Sequence, residues 1–288
     1  MSPHTHSPRT TTAPQPSGRG APDGRGTPRS RTLYGVIHLP PMPGTPFHTA
    51  GSLSAAVDDA VRDAEALREG GADGALLQTV DRVYSTGDES DPARVAAMTK
   101  YVMRVADAVG TGFDIGVQIM RHAVSASLAV AKVADAAFVR ADAVVGATLS
   151  THGRVEPDPL RIMAYRRALD AFGVELIADV DSMHYRWEDG TETAGGVARR
   201  ALHVGADAVC VAHPDETAAL VSIADIRRRA PEARVFVGGF VTHGNAARLL
   251  ADADGAFVSG CLTAGDGSGR MDAGRVRRLV ELVRDGGR

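Results

Sequence analysis

Two aspartates spaced two apart, Asp179 and Asp181, close an apolar run at 174–180, and Arg140 and Asp142 stand at the same spacing after a run at 133–139. In an extended chain residues i and i+2 share a face, so each pair is expected to point one way. Neighbouring carboxylates repel, which raises one pKa and leaves an acid beside a base. The same pair could hold a divalent cation, with Asp142 or His184 completing the shell, and the sequence leaves that open. Also open is a plainer role, in which Asp179 bonds Arg140 on the adjacent strand. His38 ends another run, before Pro40-Pro41, where an imidazole suits acid/base work near neutral pH. The expected catalytic residues are therefore Asp179, Asp181, His38 and Asp142.

Around them stand residues suited to holding substrate. Gln78 and Gln118 end further apolar runs, Arg121 follows the second, and His184 and His213 follow two more. Arg121 and Arg140 are the expected partners of anionic groups. Gly238-Gly239 and Ser259-Gly260 each follow a run near the C-terminus. Small residues there let backbone N–H groups approach an anion, so these four are expected to cradle phosphate; the alternative is relief of crowding in tight turns. No Walker-type or Gly-x-Gly-x-x-Gly segment follows a strand, which leaves ATP and dinucleotides without a signal. Lys100 and Lys132 are the only lysines, and neither ends an apolar run. A Schiff-base mechanism lacks its nucleophile.

These residues need a scaffold that brings strand ends together. Four segments share one grammar, a helical stretch, a small residue, Ala-Asp and a short apolar run, centred on Asp73, Asp135, Asp207 and Asp254. Four more apolar runs lie at 33–39, 113–119, 174–180 and 234–237, with amphipathic stretches such as 53–68, 93–109, 160–171 and 217–229 between runs. Short runs separated by helices read as buried parallel strands, and eight such units predict a (β/α)₈ TIM barrel, with chemistry at the C-terminal strand ends. The barrel is expected to fill residues 32–288 as one domain. Residues 1–31, mostly Ser, Thr, Pro, Gly and Arg, are expected to be a disordered tail. The connection at 143–159 is long enough for a lid hinged at Gly146 and Gly153, and a second at 185–193 carries Trp187, the only tryptophan.

Composition narrows the classes. Of 288 residues, 44% are hydrophobic and 5% aromatic, and the net charge is −3, which disfavours nucleic-acid polymers as partners. No stretch of 18 apolar residues predicts a membrane span. Two cysteines, Cys210 and Cys261, are too few for a disulfide scaffold, and a cytoplasmic location is the default. A homo-oligomeric state is left open.

The segment Val36-Ile37-His38-Leu39-Pro40-Pro41-Met42-Pro43-Gly44 is similar to the opening signature of the BtpA/SgcQ family. Phe138-Val139-Arg140-Ala141-Asp142 resembles its fourth-strand pattern, and Ala178-Asp179-Val180-Asp181-Ser182-Met183-His184 resembles its fifth. The resemblance runs from about residue 33 to 283 and implies a TIM barrel. The family takes its name from photosystem I accumulation, and other members are described as nucleotide- or sugar-phosphate-related enzymes. Gln78, Gln118, Asp142, Asp181 and Met183 depart from the family's usual residues, which implies a different substrate, whereas His38, Arg121, Arg140, Asp179 and His184 keep the type. The reading is an enzyme that forms or breaks a glycosidic bond in a phosphorylated, sugar- or nucleotide-like molecule, by carboxylate-assisted acid/base chemistry. The alternatives are a sugar-phosphate isomerase or epimerase, and a non-catalytic assembly or regulatory protein.

Overall fold

The computed structural model describes residues 31–285. The chain runs β1 (Thr32–Leu39), α1 (Leu53–Glu69), β2 (Gly74–Thr79), α2 (Pro92–Val109), β3 (Asp114–Gln118), α3 (Val124–Val133) and β4 (Phe138–Ala141). It continues through β5 (Thr148–Ser150), β6 (Gly153–Val155), α4 (Pro159–Ala168), β7 (Glu175–Ser182), β8 (Arg186–Trp187), α5 (Ala194–Val204) and β9 (Ala208–Ala212). The last elements are α6 (Glu216–Arg229), β10 (Val235–Gly238), α7 (Ala246–Leu249), β11 (Gly255–Val258), a 3₁₀ turn at Gly260–Leu262 and α8 (Ala273–Asp285). Eight parallel strands close in the order β1-β11-β10-β9-β7-β4-β3-β2, which is the TIM barrel expected. The tail expected over residues 1–31 lies outside the described residues, except Arg31, whose Nη1 donates to the Val283 carbonyl at 3.2 Å.

The recurring Ala-Asp has a physical reason. Asp73 before β2 accepts from the first amides of β1 through Leu33 N, at 2.8 Å. Asp207 does the same for Leu176 N of β7 at 2.8 Å, and Asp254 for Val235 N of β10 at 2.9 Å. Each aspartate satisfies a strand-start donor on the neighbouring strand at the floor of the barrel, where no ladder bond is available. Helix starts are fixed by capping side chains: Asp91, Asp158, Thr193 and Asp215 each accept from a first-turn amide, with Pro92 and Pro159 opening two of those helices.

Inside the barrel the floor is aromatic. Tyr34 stacks on Phe138 at 4.5 Å between centroids, and Phe236 and Phe257 pack beside them at 5.3 Å from each other. All four are buried, and each contributes roughly 2–3 kcal/mol of transfer free energy. The larger apolar cluster lies outside, between the strands and the helices.

The two long connections are not free flaps. β5 and β6 form a hairpin, and β5 also pairs with β8, Thr148 opposite Trp187. The expected hinged lid thus supplies two strands of a three-stranded antiparallel sheet that joins the connection after β4 to the one after β7.

Candidate active site

Above the aromatic floor sits a charged layer. Arg140 and Asp179 are both buried and meet side by side, Nε to Oδ1 at 2.9 Å and Nη2 to Oδ2 at 3.0 Å. The Arg140 guanidinium lies 5.1 Å from the Phe257 ring centroid. Burial pulls its pKa down, but Asp179, Cys210 and Asp142 together outweigh burial and the net direction is up. A Cβ on Gly238 would stand 2.7 Å from Arg140 Nη2 and 2.8 Å from Cys210 Sγ, so the glycine makes room for this bridge.

The next layer is the one that faces the mouth. Gln118 Nε2 donates to Asp142 Oδ1 at 3.4 Å, and Arg121 Nε lies 3.2 Å from Asp142 Oδ2 as a charge contact without the alignment of a hydrogen bond. Gln118 Oε1 is likewise buried without a hydrogen-bond partner among the described residues. Burial pushes the Asp142 carboxyl up, Arg121 pulls it back and Asp179 raises it again, to about 7. Arg121 is 6% exposed. Among the described residues its terminal nitrogens have no hydrogen-bond partner, and the side chain borders an open cleft.

That cleft, about 860 Å³, lies on the β1–β3 side of the mouth, and His38, Gln78, Arg121 and His184 line it together. His38 and Gln78 are register partners on β1 and β2 and therefore face the same way. Burial, then Arg140, holds the His38 imidazole below its ordinary value; burial, then Arg121, does the same for His184. His38 Nδ1 lies 3.4 Å from Ser259 Oγ. Arg121 is held from behind by a buried network. Arg94 Nη2 contacts Asp81 Oδ2 and the Met120 carbonyl, both at 2.5 Å, and Asp81 Oδ1 accepts from Met42 N at 2.8 Å. The loops after β1, β2 and β3 are thereby tied to one ion pair.

Other expectations fail on geometry. Asp179 and Asp181 do not share a face. A bulge between them sets Asp179 opposite Cys210, inside the barrel, and Asp181 opposite Val211, in the outer cluster. Asp181 Oδ2 accepts from Ser222 Oγ on α6 at 2.6 Å, so it points away from the mouth. Asp179 has both oxygens on Arg140 and is not free to act as an acid or base. The phosphate cradle is also altered: Gly238 serves Arg140, and Gly239 N donates to the Phe257 carbonyl at 2.9 Å. Ser259 and Gly260 stand at the rim beside His38. His213 Nδ1 accepts from Asp215 N at 3.1 Å and lies apart from the cleft. Among the described residues no group of three or more acids, histidines or cysteines could hold a metal ion.

Part of the cleft wall carries no signal at the ends of the apolar runs. Arg82, Tyr84, Asp59, Asp63 and Arg270 border the cleft, as does His152 from the β5–β6 hairpin. Tyr84 and His152 meet edge-to-face at 5.0 Å in its wall. Ala56, Asp59, Ala60 and Asp63 fall at i, i+3, i+4 and i+7 of α1, a spacing that marks one helix face and was available to inspection.

The BtpA family pattern matches residues 29–285. An uncharacterized protein of Archaeoglobus fulgidus is 34% identical over 259 residues, covering 88% of this chain and 99% of its own. The photosystem I biogenesis protein BtpA of Synechocystis is 27% identical over 258 residues, 88% of each chain. Among solved structures, the 2-keto-3-deoxy-6-phospho-gluconate aldolase of Zymomonas mobilis superposes with a TM-score of 0.51 at 17% identity, covering 89% of this chain and 94% of that one. At that identity the likeness is one of fold. No described helix is long and apolar enough to cross a membrane.

Proposed function

The chain belongs to the BtpA family, and we propose that it is an enzyme acting on a phosphorylated, sugar- or nucleotide-like small molecule, forming or breaking a glycosidic bond in the cleft at the barrel mouth. One observation carries the reading: a neutral imidazole, an amide and a guanidinium with free donors, His38, Gln78 and Arg121, converge on one cleft of about 860 Å³. Arg121 takes the phosphate, because its terminal N–H groups are unpaired and low-dielectric surroundings strengthen the contact. His38, held neutral, accepts the proton of the attacking hydroxyl or water. The oxygen bonds to the anomeric carbon, and the glycosidic electron pair leaves with the departing group. Gln78, beside His38, orients the sugar. Asp142 lies behind Arg121; when ionised it offsets that positive charge, so the mouth does not oppose a cationic transition state. The aldolase likeness adds a phosphorylated substrate only by analogy of fold.

The test is an assay of phosphorylated glycosides and their unphosphorylated counterparts in D₂O, read by NMR. The expected result is cleavage of the phosphorylated set, with His38→Gln cutting turnover by about 10²-fold or more while the protein stays folded. Deuterium entering a carbon beside a carbonyl, with no cleavage, would replace this reading with an isomerase or epimerase.

A further inference from the structure

The cleft extends beyond the mouth. From His38 it runs over Pro40 and Pro41 to α1, which turns Ala56, Asp59, Ala60 and Asp63 towards it. The prolines, the alanines, the two aspartates and, from the loop before α8, Arg270 border this part of the cleft together, and the alanines present no bulk into it. Asp63 is 5% exposed; its Oδ1 accepts from Met271 N at 3.0 Å, and its Oδ2 lies 3.3 Å from Arg270 Nη1. Arg270 Nη1 is shielded from solvent and stands between Asp63 and Asp59, whose Oδ1 is 3.6 Å away, as charge contacts without a hydrogen bond among the described residues. A shielded donor held by charge contacts alone gains when a ligand acceptor completes a hydrogen bond to it. The cleft volume lies in the upper part of the range of roughly 300–1,000 Å³ for small-molecule sites, more than a sugar phosphate fills.

We propose that this outer limb is a subsite for a planar nitrogenous ring. The ring lies between the Pro40-Pro41 turn and the alanine face of α1, its N–H groups donate to the carboxylates of Asp59 and Asp63, and an acceptor on the ring takes an N–H of Arg270. The molecule that fills the cleft is then a nucleotide, with its phosphate at Arg121 and its base at α1. This proposal rests on the phosphate reading of Arg121, and the experiment separates the two.

Ribose 5-phosphate, the four common nucleoside 5′-monophosphates and the corresponding nucleosides are titrated calorimetrically into the full chain and into Ala56→Phe and Asp63→Asn, each checked for a cooperative melt. At least one nucleotide is expected to bind about tenfold or more tighter than ribose 5-phosphate. Ala56→Phe, which fills this limb, removes that advantage and leaves ribose 5-phosphate within about twofold, and Asp63→Asn changes which base is preferred. Ribose 5-phosphate binding as tightly as every nucleotide, or an advantage that survives Ala56→Phe, overturns the ring subsite and leaves the phosphate reading intact. Nucleosides binding in an Ala56-dependent way without any effect of phosphate keep the ring subsite and overturn the phosphate reading. A folded chain that binds none of the probes overturns both.

Discussion

Asp142 and Arg121 set the charge that a ligand meets, and that charge changes near neutrality. With its carboxyl at about 7, Asp142 is mostly protonated below that pH and leaves Arg121 uncompensated; above it, the carboxylate offsets the guanidinium. The other groups facing Arg121 do not reverse this: Asp179 is committed to Arg140, and His38 and His184 titrate below their ordinary value. Sulfate, which does not itself titrate in this range, should bind more tightly at pH 6.5 than at pH 8, and Asp142→Asn should bind it equally at both. The stability sign follows from the same shift. The folded pKa lies above the unfolded value, so the folded state holds more protons between the two, and stability falls as pH rises through about 7. Asp142→Asn should therefore gain more melting temperature relative to the native chain at pH 8 than at pH 5, because the loss accrues as pH rises from the unfolded carboxylate value to about 7 and is complete above it. Sulfate affinity that is flat with pH in the native chain would contradict this account. Much of the residue set was legible, because a polar residue that ends an apolar run or closely follows one marks a barrel mouth; His38, Gln78, Arg121 and His184, read that way, line one cleft. Asp181 was misplaced because a bulge adds one residue without any distinctive residue type, and strict alternation then points the side chain to the wrong face.

Elements hold these residues through a few crowded contacts. β10 approaches Arg140 so closely that only a glycine fits at position 238, where an added methyl meets both Arg140 Nη2 and Cys210 Sγ. Gly238→Ala should cost roughly 1–3 kcal/mol, from overpacking of the Arg140–Asp179 layer, and lower the melting temperature by several degrees. An unchanged melt would show that the glycine serves something other than that layer. The strands and long helices were readable from short apolar runs and amphipathic stretches. The β5–β6–β8 sheet was not, because its strands are two or three residues long and pair across connections distant in sequence. Pairing of that kind is decided by the barrel that brings the loops together, not by local pattern.

At the scale of the whole molecule, eight repeated units predicted the barrel, and the barrel placed the chemistry at its C-terminal end. The side of the mouth that opens was beyond the sequence. Glycines after β10 and β11 suggested an anion there, yet packing uses Gly238 and a strand carbonyl uses the Gly239 amide, while the loops after β1, β2 and β3, fastened to the buried Asp81–Arg94 pair, border the cleft. Both lysines sit on helices, in α2 and α3, so the likeness to an aldolase fold brings no lysine to the mouth. The central claim is that a phosphate is held by Arg121 in this cleft. It is tested most directly by titrating ribose 5-phosphate and ribose into the native chain, Arg121→Gln and Gly260→Val, the last at a position with open space around its Cα. Arg121→Gln should weaken ribose 5-phosphate by about tenfold or more without changing ribose, and Gly260→Val should leave both alone. Loss of ribose 5-phosphate binding in Gly260→Val, with Arg121→Gln unaffected, would contradict the claim and move the anion to the β11 rim.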